Sequence, residues 1–86
     1  MNIFKESKKA QLIRAYREVF STDAGKLVLH DLAKSCHVYH STMNPNPHEM
    51  AYNEGERSVI IRILRTIEID PFELDRLIKK GQSEET

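Results

Sequence analysis

Residues 46–67, NPHEMAYNEGERSVIIRILRTI, decide how this 86-residue chain folds. The stretch opens as helices open. Asn46 can cap, Pro47 suits the first helical position, and Glu49 stands three residues after the cap, the spacing of a capping box. Beyond that start, Tyr52, Gly55, Val59, Ile60, Ile63, Leu64 and Ile67 recur at helical offsets and predict one broad buried stripe. Ile61 falls off this stripe and is expected to point roughly opposite, at about 100° per residue.

Downstream, IDPFE at 69–73 repeats the same pattern: Asp70 caps, Pro71 begins and Glu73 completes the box. It predicts a short fourth helix carrying Leu74, Leu77 and Ile78, which frays into GQSEET and leaves 80–86 as a flexible tail. Upstream, HVYHSTMNPNP cannot extend a helix far, because Pro45 and Pro47 each restrict the residue before them. It reads as a loop. A first helix is expected from about Lys5 to Phe20, with Leu12, Ile13, Tyr16, Val19 and Phe20 on one stripe and Lys5, Lys8, Lys9, Arg14 and Arg17 on a basic face. A second is expected from about Thr22 to His37, capped by Ser21 or Thr22, with Asp23 in its positive first turn. Its stripe is Gly25, Val28, Leu29, Leu32 and Cys36, with Leu27 to one side.

No segment alternates with period two, so the chain reads as a single all-α domain. The expected form is a small bundle of three main helices plus a short C-terminal helix, with an ordered core at about 5–79 and helices one to three forming that core. Gly25 and Gly55 each weaken a helix interior by roughly 1 kcal/mol relative to alanine. Both lie on apolar sides, which predicts a close approach between helices two and three.

Thirteen basic and thirteen acidic residues cancel, which removes any global drive toward nucleic acid or membrane. The halves differ. Residues 1–40 carry seven basic and four acidic groups and residues 41–86 six and nine, so the net charges are +3 and −3. The single cysteine, Cys36, excludes an internal disulfide framework and fits a reducing compartment. MNIFKESKKAQ has no long apolar run, so neither a signal peptide nor a membrane span is expected, and cytoplasmic synthesis is the default expectation.

Few side chains offer chemistry. Cys36, His37, His40 and His48 are zinc-ligand types, but they crowd into thirteen residues without a finger's spacing. Cys36 lies on a core stripe, where a thiol acts as a small hydrophobe. No metal or other cofactor is therefore expected. Cys36 and His37 project about 100° apart on a helix, so they make no catalytic dyad. Ser41, Thr42 and Ser58 have no elbow or Gly-rich support. The chain reads as non-enzymatic. His48 and Tyr52, one helical turn apart, read as a pair in which His48 donates to a loop carbonyl and locks the NPNP turn. The basic face of helix one is the one feature suited to phosphate contact, without an aromatic platform or base-reading motif.

The segments VFSTDAGKLVLHDL (19–32), STMNPNPHEMAYNEGERSV (41–59) and IRIL (61–64) carry a family likeness. From about Tyr16 to Leu74 the chain resembles a family of small tailed-phage proteins encoded among head-morphogenesis genes, near portal and scaffold genes. The resemblance implies a phage protein acting in head assembly or carried in the virion, with a portal, capsid or scaffold protein as partner and a homo-oligomer as a further option. It transfers no catalytic residue. The contacts expected from it are the polar side of helix three (Glu54, Arg57, Ile61, Arg62, Arg65), Leu27, and the turn at Pro47 and His48; Leu27 and Ile61 would form a docking patch if they adjoin. The alternative is a small DNA-binding or host-takeover regulator that uses Lys5, Lys8, Lys9, Arg14 and Arg17.

Overall fold

The structure, a computed structural model, describes residues 7–84. Among them are four helices and no strand: α1 (Lys8–Phe20), α2 (Asp23–Ser35), α3 (Pro47–Ile67) and α4 (Pro71–Glu84). The all-α class is as the hydrophobic spacing requires. Each helix begins where a short polar side chain can take up free backbone N–H groups. Ser7 accepts from Ala10 N, Thr22 from Gly25 N, and Asn46 from His48 N and Glu49 N. Asp70 accepts from Phe72 N at 2.8 Å. Of the two caps considered for α2, Thr22 is the one used; Ser21 closes α1 instead.

α2 and α3 end alike. His37 and Glu68 adopt left-handed backbone conformations at φ 66° and 58°. Val38 N then reaches Ala33 O at 3.0 Å, and Ile69 N reaches Leu64 O at 3.0 Å, turning the last carbonyls inward. This places Val38 and Ile69 against the core, an apolar contact that commonly accompanies such a cap. It also stops α2 two residues before the expected His37. α1 starts at Lys8 rather than Lys5, which lies outside the described residues. α4 runs through Gly81 to Glu84, beyond Lys79, where the ordered core was expected to end; the last two residues of the expected tail lie outside the described residues.

The core is built from α2, α3 and α4. Its buried residues are Leu29 and Ala33, Ile60, Leu64 and Ile67, and Leu74. α1, expected as a core helix, buries no residue and lends only the partly buried Tyr16 and Phe20. The expected rotation of two helices is also corrected. On α2, Val28 is exposed and the inward line is Leu29, Ala33 and Cys36, with His30 buried beside it. On α3, Tyr52 is 70 % and Val59 58 % exposed, whereas Ile61 is partly buried and packs against the core. The body is 16 Å across its thinnest dimension. Helices pack 8–10 Å apart and their Cα atoms lie about 2.3 Å from the axis, so this depth holds two layers and no third.

The two glycines part company. A Cβ on Gly25 would lie 2.0 Å from Val19 O and 3.0 Å from Phe20 Cα, so the close approach is to the end of α1 and not to α3. Among the described residues, a Cβ on Gly55 would meet nothing within 4 Å. The expected packing of α2 on α3 through Gly55 is absent, because α2 lies against the Ile60–Leu64 side instead.

Candidate functional site

The loop that launches α3 is held by asparagine chemistry. Asn46 N donates to Asn44 Oδ1 at 2.8 Å, His48 N donates to Asn46 Oδ1 at 2.9 Å, and Asn44 Nδ2 donates to Glu49 Oε2 at 2.8 Å. Glu49 thus closes the capping box through Asn44, not directly onto the Asn46 backbone. The lock assigned to the His48 imidazole belongs to these two asparagines, and His48 and Pro47 are both exposed. The Thr42 hydroxyl also donates to the Glu54 carboxylate, tying the loop to the second turn of α3.

Two clusters carry the charge. The first joins α2 to α4. His30, buried at 6 % exposure, places Nε2 2.8 Å from Asp75 Oδ1, and Lys79 Nζ lies 2.8 Å from Asp75 Oδ2. The hydrogen bonds from Lys79 and then His30 hold the Asp75 carboxyl below its ordinary range, because both favour the ionised form. Beside them the Tyr39 hydroxyl donates to Pro71 O at 2.7 Å, and its ring lies 5.9 Å from that of His30 and 6.2 Å from that of Phe72. Burial first, then the negative charges of Asp75 and Asp70, push the Tyr39 phenol up. Sequence reasoning passed over this cluster. The available signal was a histidine inside the apolar run LVLHDL, a position that calls for a polar partner.

The second is a groove of about 450 Å³ between α1 and α3. It gathers Lys9 and Arg17 from the expected nucleic-acid face with Arg62 and Arg65 from the expected partner face. Glu68 reaches into it and pairs with Arg17 at 3.4 Å. Lys8 and Arg14 line a separate concavity of about 430 Å³ on the other flank of α1. Of the five basic residues expected to act together, the four that are described therefore do not share one face, and Lys5 lies outside the described residues. Glu54 and Arg57 meet each other at 3.7 Å. Leu27 is exposed, but Ile61 is turned toward the core, so the docking patch expected from the two does not form.

The zinc-type residues are dispersed. Cys36 and His37 are partly buried and His40 is exposed, while His37 Nε2 pairs with Glu56 Oε1 at 3.6 Å and so fastens the end of α2 to α3. Among the described residues no three His, Cys, Asp or Glu side chains are grouped to hold a metal ion. No helix among them is long and apolar enough to cross a membrane.

Most of the residues that frame this groove and the α2–α4 seam fall within a known family pattern. The model of the Bbp19-like phage protein family matches residues 16–79. The chain belongs to that family. The match takes in all of α2 and α3, the last five residues of α1 and α4 as far as Lys79, and so agrees with the phage-family resemblance seen in the sequence. Of the groove's cations, Arg17, Arg62 and Arg65 lie inside it and Lys9 lies before it. No match was found among curated proteins or among solved structures.

Proposed function

We propose that this phage protein is a non-enzymatic interaction module that acts in head assembly or is carried in the virion, bound to a portal, capsid or scaffold protein. It works without a cofactor, in the host cytoplasm during infection. The observation that carries this reading is where the large apolar side chains are. Leu12, Val19, Tyr52 and Val59 are all more than half exposed, on the two helices that also form the basic groove. Exposed apolar surface bordered by charge is the composition of a protein-binding face. The polar groups with chemistry to offer are occupied in tying helices together: His30 with Asp75, and His37 with Glu56. Mass spectrometry of purified virions and of assembly intermediates tests the reading. A defined copy number in either supports it, and absence from both sinks it.

The groove favours a second reading, contact with the phosphate backbone of nucleic acid. Lys9, Arg17, Arg62 and Arg65 converge there from two helices, a denser array than one helix face provides. On this reading, removing Lys9, Arg62 and Arg65 together weakens DNA binding at every sequence and lowers the salt slope by about three, roughly one for each phosphate left without its cation. Binding that ignores these substitutions rejects it.

A further inference from the structure

One face of α3 is half covered. His48, Tyr52, Gly55, Val59 and Ile63 follow at spacings of four, three, four and four residues, which places them along one side of the helix. At Ile63 the side is covered by α1, where Leu12, Ala15, Val19 and Ile63 line an apolar groove of about 360 Å³. Before Ile63 it is open: Tyr52 and Val59 are exposed and the space beside Gly55 is empty. Glycine weakens a helix interior, and none of the described residues makes use of the room that it leaves. A helix from outside the chain can use it, by approaching closely at Gly55 and covering Tyr52 and Val59.

We propose that this helix is α3 of a second copy, running antiparallel and crossing at Gly55 about a two-fold axis. The charge on α3 is what selects a copy of itself. Glu49, Glu54 and Glu56 occupy residues 47–56, and Arg57, Arg62 and Arg65 occupy residues 57–67. An antiparallel copy sets each acidic half beside a basic half and opposes the two helix dipoles; a parallel copy would set like beside like. The macrodipole of a single helix accounts for Glu49 in the first turn and Arg65 in the last. Its influence fades within a turn, so it does not explain a sign change between Glu56 and Arg57 in the middle.

The length of the open face fits the same symmetry. Gly55 is eight residues from Pro47, where α3 begins, and eight from Ile63, where α1 begins to cover it. Crossing at Gly55 brings the start of the second α3 level with Ile63, so its Pro47 and His48 arrive at the groove lined by Leu12, Ala15 and Val19. Glu54 and Glu56, which then face each other across the crossing, are each already partnered within their own chain, by Arg57 and by His37. Such an isologous contact closes at two copies. It does not depend on which phage protein the module binds, so virion analysis and the experiments below can fail separately.

Sedimentation of the full chain over a range of concentrations tests the pairing. The expected result is a reversible rise from 10.0 kDa to twice that mass and no further. Gly55→Leu fills the crossing point with a good helix former, so it should abolish pairing while leaving the circular dichroism helical. In a Cys36→Ser background, Gly55→Cys should form a disulfide-linked dimer on mild oxidation, and Lys80→Cys on α4 should not. A chain that stays monomeric at the highest soluble concentration overturns the proposal. So do pairing unaffected by Gly55→Leu, equal cross-linking from both cysteines, or growth beyond a dimer.

Discussion

Gly25 and Gly55 occupy comparable places, each within an amphipathic helix and each on its apolar side, yet their surroundings are opposite. At Gly25 the end of α1 passes so near that a Cβ would lie 2.0 Å from the Val19 carbonyl oxygen. The tight α1–α2 corner, held by Thr22 accepting from Gly25 N at 2.9 Å, has no room for a side chain there. At Gly55 no neighbour comes within 4 Å. One glycine is required by the chain's own packing, and the other makes room that no described residue fills. The same contrast runs through the larger regions. The seam joining α2, α3 and α4 encloses Leu29, Leu64 and Leu74 and satisfies its buried His30 with Asp75, whereas the stretch of α3 before Ile63 leaves Tyr52 and Val59 uncovered. A finished seam makes stability; an unfinished face is available for recognition.

The sharpest way to break this comparison is at the seam. Leu29 is fully buried, and Leu29→Ala should cost about 3 kcal/mol through lost transfer energy and the cavity left behind. Val59→Ala on the open face of α3 should change the stability of the dilute chain far less. Denaturant unfolding of both variants checks this, and equal losses would erase the distinction between the regions.

The glycines come next, with opposite signs expected. Gly25→Ala must displace backbone and should destabilise by roughly 2 kcal/mol. Gly55→Ala meets open space and should stabilise the dilute chain by about 1 kcal/mol through helix propensity. Thermal unfolding at low concentration reads both. A loss of stability at Gly55 would mean that the space is not free.

The smallest expected effect is at the acid edge. The carboxyl of Asp75 is held below its ordinary range by Lys79 and His30, so the native state favours its ionised form. Its contribution is therefore present above the unfolded carboxylate pKa of about 3.9 and is lost as pH falls through the lower native value. Asp75→Asn should lose stability at neutral pH and show a flatter acid limb. An unchanged limb would show that the cluster at the α2–α4 seam does not contribute to acid sensitivity.

What could be read in advance was local chemistry. Thr22 before Asp23, Asn46 before Pro47 and Asp70 before Pro71 mark helix starts because a side-chain oxygen bonds backbone N–H groups two or three residues on, whatever the rest of the chain does. Which side of each helix faced inward was legible only in part: Leu29, Ile60, Leu64 and Ile67 were expected in the core and are buried there. On α3, Val59, Ile60, Ile61, Ile63 and Leu64 cover so wide an arc that the helix could turn either of two sides to the core. The candidate surfaces inherited that ambiguity. Ile61 was expected outside and packs inside, while Tyr52 and Val59 were expected inside and remain exposed. The basic groove was hidden for another reason, since it joins Lys9 and Arg17 to residues 62 and 65, far along the chain.

By itself, then, the sequence determined an all-α chain and the residues that open α2, α3 and α4. The tertiary structure alone decided the rotation of α2 and α3, the neighbour of Gly25, the pairing of His30 with Asp75, and the convergence of the cations. Capping and periodicity depend on residues a few positions apart, so they are written locally. Rotation depends on which apolar arc a distant helix reaches first, and that is settled only when the helices pack.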